Sequence, residues 1–502
     1  MRTRPSASLM PKAGPLAAAV AWVEAQALFI AAVGAVAAFS LARLPEHLNQ
    51  DGWLALVGGR YVAGHGIPQH DVLNVMTHGA RWIDQQWLAQ LLSYELHQAG
   101  GLALYTLVYV ALAVLSLALA IAAAGTLGGT ERHVLWVLPL AGFLYFAGSF
   151  QIRTQGFAYP LFVTTLWLLA KEVKEPGPRR VYLVFPLLIL WANLHGSVTV
   201  GVGLAMIYGV TLLAADLRSD GWRTPLTSIR RRAVVFTIGP ALCLFATPYG
   251  VGIIGYYRST LLNPSFSKVV TEWQPVTTIL VLAVPFFLAA FATVWLLGRS
   301  GARTPVFNQL ALILLAAAAV FAVRNITWFG LAVAVLMPAT ISRMAPIGRV
   351  AKRRKSLNLA LAGLSLTILA GAVISVAVRP QTWFERGYDQ RVLSAIGSIV
   401  ANQPHAHIFA DVHYADWLLW HDPALAGTLA YDTRFELLSQ KQILAIANLG
   451  QVAAPQERDI LAGYRVLVLD ARGAATKLLL ARPGTQVALR SSHTVVALSS
   501  GQ

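Results

Sequence analysis

The stretch Asn49–Gln90 reads NQDGWLALVGGRYVAGHGIPQHDVLNVMTHGARWIDQQWLAQ. It is the longest polar interruption in the membrane-like part of the chain, and it directly follows the first long apolar segment, Leu16–Leu44. It contains three aspartates, three histidines and three tryptophans. Ionisable and aromatic side chains gathered at this position need either a structural or a chemical explanation.

The composition of the whole chain is that of a membrane protein. Of its 502 residues, 56% are hydrophobic and 12% are charged, whereas soluble proteins carry roughly 25% charged residues. Apolar runs that are long enough to cross a bilayer as a helix recur along the chain, for example at Gly101–Ala124 and at Leu357–Val378. The sequence therefore predicts a polytopic α-helical membrane protein with about eleven transmembrane helices. The first is expected to be retained, because it is too long for a signal-peptide core.

The net charge of +17 is explained by membrane orientation and not by nucleic acid as a partner. One alternating set of connecting loops, which includes Arg230–Arg232 and Arg353–Lys355, holds most of the lysines and arginines before residue 378. The positive-inside rule assigns these loops to the cytoplasm, where they contact anionic membrane lipids. The N-terminus is then cytoplasmic, while Asn49–Gln90 and the C-terminal tail lie outside the cytoplasmic (inner) membrane.

The sequence divides into two parts. Residues 1–378 form the predicted membrane domain, with residues 45–100 as its first extracytoplasmic loop. Residues 379–502 have the composition of a soluble domain. There, DQRVLSAIGSIVANQ has the period of an amphipathic helix, and HIFADV, YRVLVLDA, TQVALRSS and HTVVALSS have strand patterns. We expect a small extracytoplasmic α/β domain.

The first loop is predicted to contain two helices. DGWLALVGGRYVAG places Trp53, Leu54, Val57 and Tyr61 on one helical face, which suits a helix lying at the membrane interface with tryptophan at headgroup level. DQQWLAQLLSYELHQAGG is a second amphipathic helix, and its Gly-Gly pair predicts a stop before the next apolar run.

Each aspartate of the loop has two explanations. Asp51 follows the first apolar helix, where a carboxylate can act as a general base on an acceptor hydroxyl or help to hold a metal, but aspartate also caps helices well. Asp84 precedes the second helix and is a cap candidate too. Asp71 lies in a turn, where turn geometry alone explains an aspartate. Three carboxylates in one outside loop favour a catalytic role for at least one of them.

A metal site has weaker support. The spacings of His65, His70 and His78 match no zinc pattern, and the single cysteine, Cys243, excludes a cysteine zinc site. A divalent metal therefore has no clear ligand set in this sequence.

Other loops predicted on the same side of the membrane also carry polar side chains. Arginine at such depth is usually paired or functional, and its planar guanidinium suits phosphate. The candidates are Arg153 and Gln155 in FQIRTQGF, His195 in WANLHGSV, Arg258 and Glu272 in the segment from Tyr249 to Pro275, and Arg324 in VRNITWFG. Because these loops face one side, their side chains could meet in one cavity. Trp53 and Trp87 suit sugar stacking or interface anchoring equally well.

Several short motifs carry a family resemblance. An outside D-G-W, then G-x-P-x-x-D, then RWIDQQWL before the second apolar helix resembles the GT-C superfamily of membrane glycosyltransferases, particularly bacterial proteins related to protein O-mannosyltransferases and the lipid A aminoarabinose transferase. NLHGS and VRNITWFG are similar to segments of the same group. One departure is that many relatives have an Asp-Glu pair in the first loop, whereas Gly52 follows Asp51 here. Asp84 or Asp71 is then left to supply a second carboxylate.

The resemblance implies a function. Such enzymes transfer sugars from polyprenyl-phosphate donors, and Asp51 matches their first-loop acid. We therefore expect an inverting transfer to an extracytoplasmic glycan, lipid or protein acceptor, with Asp51 as the base. The donor-phosphate candidates are Arg153, Arg258 and Arg324, and the substrate-binding candidates are Trp53, Trp87, Gln155, His195 and Glu272.

Two other functions remain open from the sequence. An envelope glycan ligase or polymerase also joins lipid-linked glycans outside, although such enzymes usually place their key arginines in a large late loop. A non-enzymatic transporter of lipid-linked substrate is the second. It should show inverted repeats and charges or broken helices at mid-span. No repeat is evident here, and the span interiors are nearly free of charge, with Glu24 as the main exception.

Overall fold

The computed structural model describes residues 15–46, 48–149, 151–220, 227–345, 354–449, 460–482 and 484–499. Helices dominate the part before residue 378. They are α1 (Pro15–Ala25), α2 (Ala27–Ala42), α3 (Gln50–His65), α4 (Trp87–Leu127), α5 (Glu131–Ser149), α6 (Ala158–Lys174), α7 (Val184–Leu194), α8 (Val198–Asp220), α9 (Ser228–Leu242), α10 (Ile253–Leu261), α11 (Phe266–Val269), α12 (Leu280–Ser300), α13 (Val306–Phe321), α14 (Ile326–Met344) and α15 (Lys355–Ala377).

The tail after residue 378 mixes helices and strands. Its helices are α16 (Gln381–Phe384), α17 (Arg391–Asn402), α18 (Val412–His421), α19 (Gln440–Ala447) and α20 (Ala474–Leu480), and its strands are β1 (His407–Ala410), β2 (Tyr464–Asp470), β3 (Gln486–Arg490) and β4 (Thr494–Leu498). The amphipathic helix and all four strands lie where the sequence predicts them.

The protein is a multi-pass helical membrane protein. Five helical segments in the described ranges are long and apolar enough to cross a bilayer, or up to seven if each of two bent helix pairs is one span. The pair α1 and α2 bends by 73°. The expected count of about eleven spans stays a prediction, since apolar segments such as α7 and α13 are shorter than 18 residues.

The core of the helical bundle surrounds α14. Of the 18 most apolar consecutive residues in the segment Val323–Met344, 83% are buried. Trp328 of this helix packs on Phe162 of α6 and on Trp191 of α7, with ring centroids 5.1 and 5.8 Å apart. Apolar side chains on α12 and α15, such as Phe291 and Ile374, are exposed instead. Outward apolar faces of this kind are expected where helices meet lipid.

The first loop helix, α3, forms where predicted but is buried more deeply. Its residues from Gly52 to Gly59 are all buried, and Trp53 is fully inaccessible. Trp53 lies against Tyr388 and His421 of the tail, at centroid distances of 5.8 and 5.7 Å. The expectation that Trp53 anchors an interfacial helix at headgroup level is therefore wrong, because the tail covers that face.

The Gly-Gly pair before the second apolar run is a kink and not a full stop. Helix α4 continues through it, but Gly100 and Gly101 leave helical geometry, and Gly101 has a φ of 62°. Glycine alone adopts this conformation without steric cost. The kink joins the amphipathic loop helix to the apolar run that follows.

The tail contains one four-stranded sheet with the order β1–β2–β4–β3. β1 and β2 are parallel, and the other two pairs are antiparallel. The central strand β2 buries Val466–Leu469 as a continuous apolar run, which is typical of a strand covered on both faces.

The tail and the first loop share one core. Trp53 and Trp82 of the loop belong to the same buried cluster as Ile408, Trp417 and Val466 of the tail. Backbone hydrogen bonds also join the two parts: the amide of residue 75 donates to the carbonyl of residue 429 at 2.8 Å, and that of residue 427 donates to the carbonyl of residue 73 at 2.8 Å. The domain boundary at residue 378 stays a prediction.

Candidate active site

A polar cavity of about 380 Å³ lies where the loops of the helical bundle meet the tail. Six side chains chosen from the sequence line it, namely Asp51, Arg153, Gln155, His195, Glu272 and Arg324. They come from five separate stretches of the chain, as expected for loops that face one side. We call this space the polar cavity.

Helix ends and single turns position these side chains. Asp51 lies in the first turn of α3. Arg153 precedes the one-turn helix Thr154–Phe157, and His195 follows the last residue of α7. Arg324 lies in the turn Val323–Asn325, directly before α14. Fixed secondary structure next to each group restricts its freedom, which favours a preorganised site.

Arg153 links two carboxylates of the cavity. Its Nη1 lies 2.6 Å from Oε1 of Glu272 and 3.8 Å from Oδ2 of Asp51. Burial raises the pKa of Asp51, with Arg153 opposing and Glu272 reinforcing that shift. Burial also acts on Glu272, but Arg153 and Arg324 outweigh it and lower the pKa of Glu272. Glu272 is therefore the anionic partner of Arg153, and Asp51 is the more basic carboxylate.

Arg324 is a cation that has no carboxylate within ion-pair distance among the described residues. Its guanidinium lies over the ring of Trp273 at 4.4 Å. Within the described ranges it takes part in no hydrogen bond and no ion pair. A half-buried guanidinium with free donors in a polar cavity is suited to an anionic ligand.

His195 is a neutral member of the cavity. Its Nδ1 accepts the backbone N–H of Ser197 at 3.1 Å, so the ring proton is on Nε2. Burial lowers the pKa of His195 well below its usual range, and Arg324 and Arg153 lower it further. Gln155 is almost fully buried, and its Oε1 has no hydrogen-bond partner in the part of the chain that the structure describes. Both side chains can therefore bind polar groups of a ligand.

Comparison with known proteins identifies the fold. No protein-family model and no curated protein matches the sequence. Among solved structures, apo ArnT from Cupriavidus metallidurans matches at 16% identity and a TM-score of 0.52, covering 96% of this chain and 98% of that chain. A variant of the arabinofuranosyltransferase AftD from Mycobacteria matches at 14% identity and 0.50, covering 94% of this chain and 41% of AftD. ArnT bound to undecaprenyl phosphate matches at 15% and 0.47, covering 95% and 98%.

The chain has the GT-C glycosyltransferase fold. The resemblance expected from the motifs of the first loop is thereby confirmed at the level of the fold. In this GT-C structure, Asp51 is the one aspartate of the first loop that lines the polar cavity.

Asp71 occupies a structural position instead. It is fully buried, and its carboxylate accepts the amide of Leu73 at 3.1 Å, the hydroxyl of Thr77 and Nη2 of Arg434 at 2.8 Å. These contacts leave little capacity for a substrate. A role for Asp71 as catalytic base stays an untested prediction that its surroundings do not favour.

Asp84 is buried and does not line the polar cavity. One carboxylate oxygen, Oδ2, has no hydrogen-bond partner in the described ranges. Burial raises the pKa of Asp84 to about 7, although Arg434 opposes the shift. Asp84 can therefore hold a proton near neutral pH, but it does not contact the space that a substrate would fill.

Three further candidates also lie outside the cavity lining. Arg258 is exposed on α10. Trp53 is enclosed in the core, and Trp87 donates its indole N–H to Oδ1 of Asn193 at 3.1 Å. Among the described tryptophans, the one that does line the cavity is Trp273, which the sequence gives no reason to prefer over the others.

The tail contributes residues to the cavity that the sequence did not indicate. Thr433, Arg434, Phe435 and Glu436 line the polar cavity from the side opposite the helical bundle. The sequence around them, YDTRFE, matches no catalytic pattern. Only the packing of the tail on the first loop brings this segment to the site.

No metal centre is evident in the described ranges, where no three His, Cys, Asp or Glu side chains come together as ligands. Asp51 and Glu272 are two carboxylates of one cavity, but Arg153 lies within ion-pair distance of both. The guanidinium of Arg153 therefore occupies the position that a metal ion bound by both Asp51 and Glu272 would need.

Proposed function

We propose that the protein is a membrane glycosyltransferase that moves a sugar from a polyprenyl-phosphate donor to an acceptor hydroxyl outside the cytoplasmic membrane. The observation that carries this proposal is the presence of Arg324, which forms no ion pair with a described residue, and the carboxylate of Asp51 in one cavity of a GT-C fold. ArnT, whose apo structure shares this fold, has also been solved with undecaprenyl phosphate. We take the chemical class of the donor lipid from it.

The reaction is proposed to proceed by direct displacement. The acceptor oxygen forms a bond to the anomeric carbon as the bond from that carbon to the phosphate oxygen breaks. The configuration at the anomeric carbon is thereby inverted. Asp51 receives the proton of the acceptor hydroxyl. The electron pair of the broken bond stays on the lipid phosphate, and Arg324 and Arg153 stabilise its growing charge.

The surroundings of Asp51 support its role as the base. A general base works best when its pKa lies closer to the operating pH, and burial shifts Asp51 in that direction. Glu272 holds Arg153 beside Asp51. The arginine is thus positioned before the donor arrives and need not be ordered during the reaction.

The proposed orientation places the polar cavity and the tail outside the cytoplasmic membrane and the N-terminus inside. The positive-inside rule supports it, and so does the position of the cavity, whose lining loops all belong to the less basic set. Glycan, lipid and protein hydroxyls all fit the chemistry of the acceptor.

The test is a donor-consumption assay with purified protein in lipid nanodiscs and a panel of radiolabelled polyprenyl-phosphate sugars. With membrane extract as acceptor, Asp51→Asn is expected to lower the turnover of the accepted donor about 10²–10⁴-fold, while binding of the donor persists. Glu95→Gln, an exposed acid of α4 outside the cavity, is the matched control and should keep full activity. Unchanged turnover in Asp51→Asn would remove Asp51 as the base.

A further inference from the structure

The segment of the tail that reaches the polar cavity is held rigidly. Arg434 is almost fully buried, and its Nη2 lies 2.6 Å from Oδ2 of Asp432 and 2.8 Å from Oδ1 of Asp71. Its guanidinium also lies over the ring of Trp82 at 4.1 Å. Asn74 donates to Asp432 at 2.6 Å. Two residues of the first loop and one aromatic ring thus fix the backbone around Arg434.

This anchoring determines where the next residues lie. Phe435–Leu437 forms a one-turn helix directly after Arg434. Phe435 and Glu436 line the polar cavity together with Asp51, Arg153 and Arg324. A side chain of the tail therefore shares one space with the proposed base and phosphate-binding groups.

Glu436 has no side-chain partner among the described residues. Within the described ranges its carboxylate forms no ion pair or hydrogen bond to another side chain. The neighbouring Arg434 is already engaged by Asp71 and Asp432. Arg434 itself lines the cavity, but its Nη1 is a buried atom without a hydrogen-bond partner in the same ranges. The carboxylate of Glu436 is therefore the charged group that this segment of the tail offers to a ligand.

The surroundings of Glu436 are consistent with an enclosed position. Burial raises its pKa to about 7, against the attraction of Arg434, and the charges of Asp432 and Asp51 contribute to the increase. Glu436 and Asp51 both line the polar cavity. The volume of the cavity, about 380 Å³, is at the small end of ligand pockets.

We propose that Glu436 binds the sugar of the donor directly, accepting hydrogen bonds from its hydroxyl groups, and so makes the tail part of the specificity site. A carboxylate has two oxygens that can accept neighbouring sugar hydroxyls. This inference rests on the proposed function, because it assigns the sugar of that donor to the tail side of the cavity.

The experiment compares wild type, Glu436→Gln and Glu436→Ala as full-length proteins in nanodiscs. Two quantities are measured: the KM for the accepted polyprenyl-phosphate sugar and the Kd for undecaprenyl phosphate without a sugar. Hydrogen bonds to a charged group contribute about 1.5–3 kcal/mol, so Glu436→Ala should raise the KM for the donor about 10–100-fold. The Kd for the bare lipid phosphate should stay within about 2-fold, because Arg324 and Arg153 hold it.

Glu436→Gln keeps the size of the side chain and isolates the effect of the charge. This variant should also raise the KM for the donor. Its melting temperature should not change, since Glu436 takes no part in the ion pairs of Arg434 with Asp71 and Asp432. Equal KM values and an equal preference among the donor sugars in all three proteins would overturn the role of Glu436 and leave the proposed function standing. A wild type that binds bare lipid phosphate but consumes no donor sugar would overturn both.

Discussion

At the scale of single residues, Asp51 and Asp71 carry the same functional group in the same loop, but their surroundings separate their roles. Asp51 is partly exposed to the polar cavity, at 28% of its side chain, and its nearest cation, Arg153, is shared with Glu272. Asp71 is fully buried and ion-paired with Arg434. Because a ligand in the cavity can reach Asp51, this residue is suited to catalysis. The buried ion pair of Asp71 with Arg434 instead gives Asp71 a role in the stability of the fold.

Asp71→Asn is expected to destabilise the fold, because it removes one carboxylate from a buried guanidinium. Breaking a buried pair on one side costs about 3–5 kcal/mol. Asp51→Asn, which breaks only a 3.8 Å contact, should change stability by less than about 1 kcal/mol. Thermal unfolding in detergent micelles measures both. Equal melting temperatures of the two variants would contradict the structural role of Asp71.

Asp84 provides a prediction about pH. Its pKa of about 7 in the folded protein exceeds the value of about 4 expected in the unfolded chain. A group of this kind favours folding below the unfolded pKa, and its contribution is lost as the pH rises through about 7. The free energy of unfolding of wild type relative to Asp84→Asn should therefore decrease between pH 4 and pH 8.

The expected size of that decrease is at most a few kcal/mol, because each pKa unit corresponds to about 1.4 kcal/mol. Denaturant unfolding at intervals of one pH unit measures it, and Glu95→Gln corrects for the general effect of removing an acid. A difference between wild type and Asp84→Asn that stays constant across this range would rule out the buried protonated state.

At the scale of elements, the contact between α3 and α4 positions Asp51. Gly58 and Gly59 of α3 face Gln90 of α4, and a methyl group added at Gly59 would lie 2.1 Å from the backbone oxygen of Gln90. Only a residue without a side chain permits this approach of the two helices. The glycines thus serve packing, and the loop helix is fixed as a rigid support for the cavity.

Gly59→Ala is therefore expected to force α3 away from α4. Overpacking of this kind costs about 1–3 kcal/mol, and the displaced α3 should also lower turnover by moving Asp51. Gly64→Ala in the same helix is the matched control, since no atom lies within 4 Å of its added methyl group. Alanine there should stabilise the helix by about 0.5–1 kcal/mol. Similar melting temperatures for the two variants would contradict the close contact.

At the scale of the whole molecule, the tail and the first loop behave as one packed unit. They share a buried cluster and the Arg434 network, and Arg60 of α3 donates to the carbonyl of Trp420 at 2.8 Å and stacks on its ring. The core around α14 is a separate cluster. Loss of the tail contact should therefore affect the first loop before it affects the helical bundle.

Arg434→Met tests this unit by hydrogen exchange. Residues that unfold together exchange together, so amides of residues 71–82 and of β1 and β2 are expected to exchange faster in the variant by a similar factor. Amides of α14 serve as the internal control and should keep their wild-type rates. Faster exchange in the tail alone would show that the loop folds independently of it.

The sequence by itself determined the elements and the chemical inventory. The apolar runs predict membrane helices because their length matches a bilayer, and the short apolar or alternating runs of the tail predict β1 to β4. Asp51, Arg153, Gln155, His195, Glu272 and Arg324 were chosen from polar residues at helix ends, and the structure places all six in one cavity.

Only the tertiary structure decided which groups meet and which are enclosed. Trp53 is buried and not interfacial because the tail covers α3, and Asp71 is structural because Arg434 arrives from 363 positions later in the sequence. Glu436 reaches the polar cavity for the same reason. Local sequence patterns report preferences over a few neighbouring residues, whereas these contacts depend on surfaces that come together only when the tail packs on the first loop.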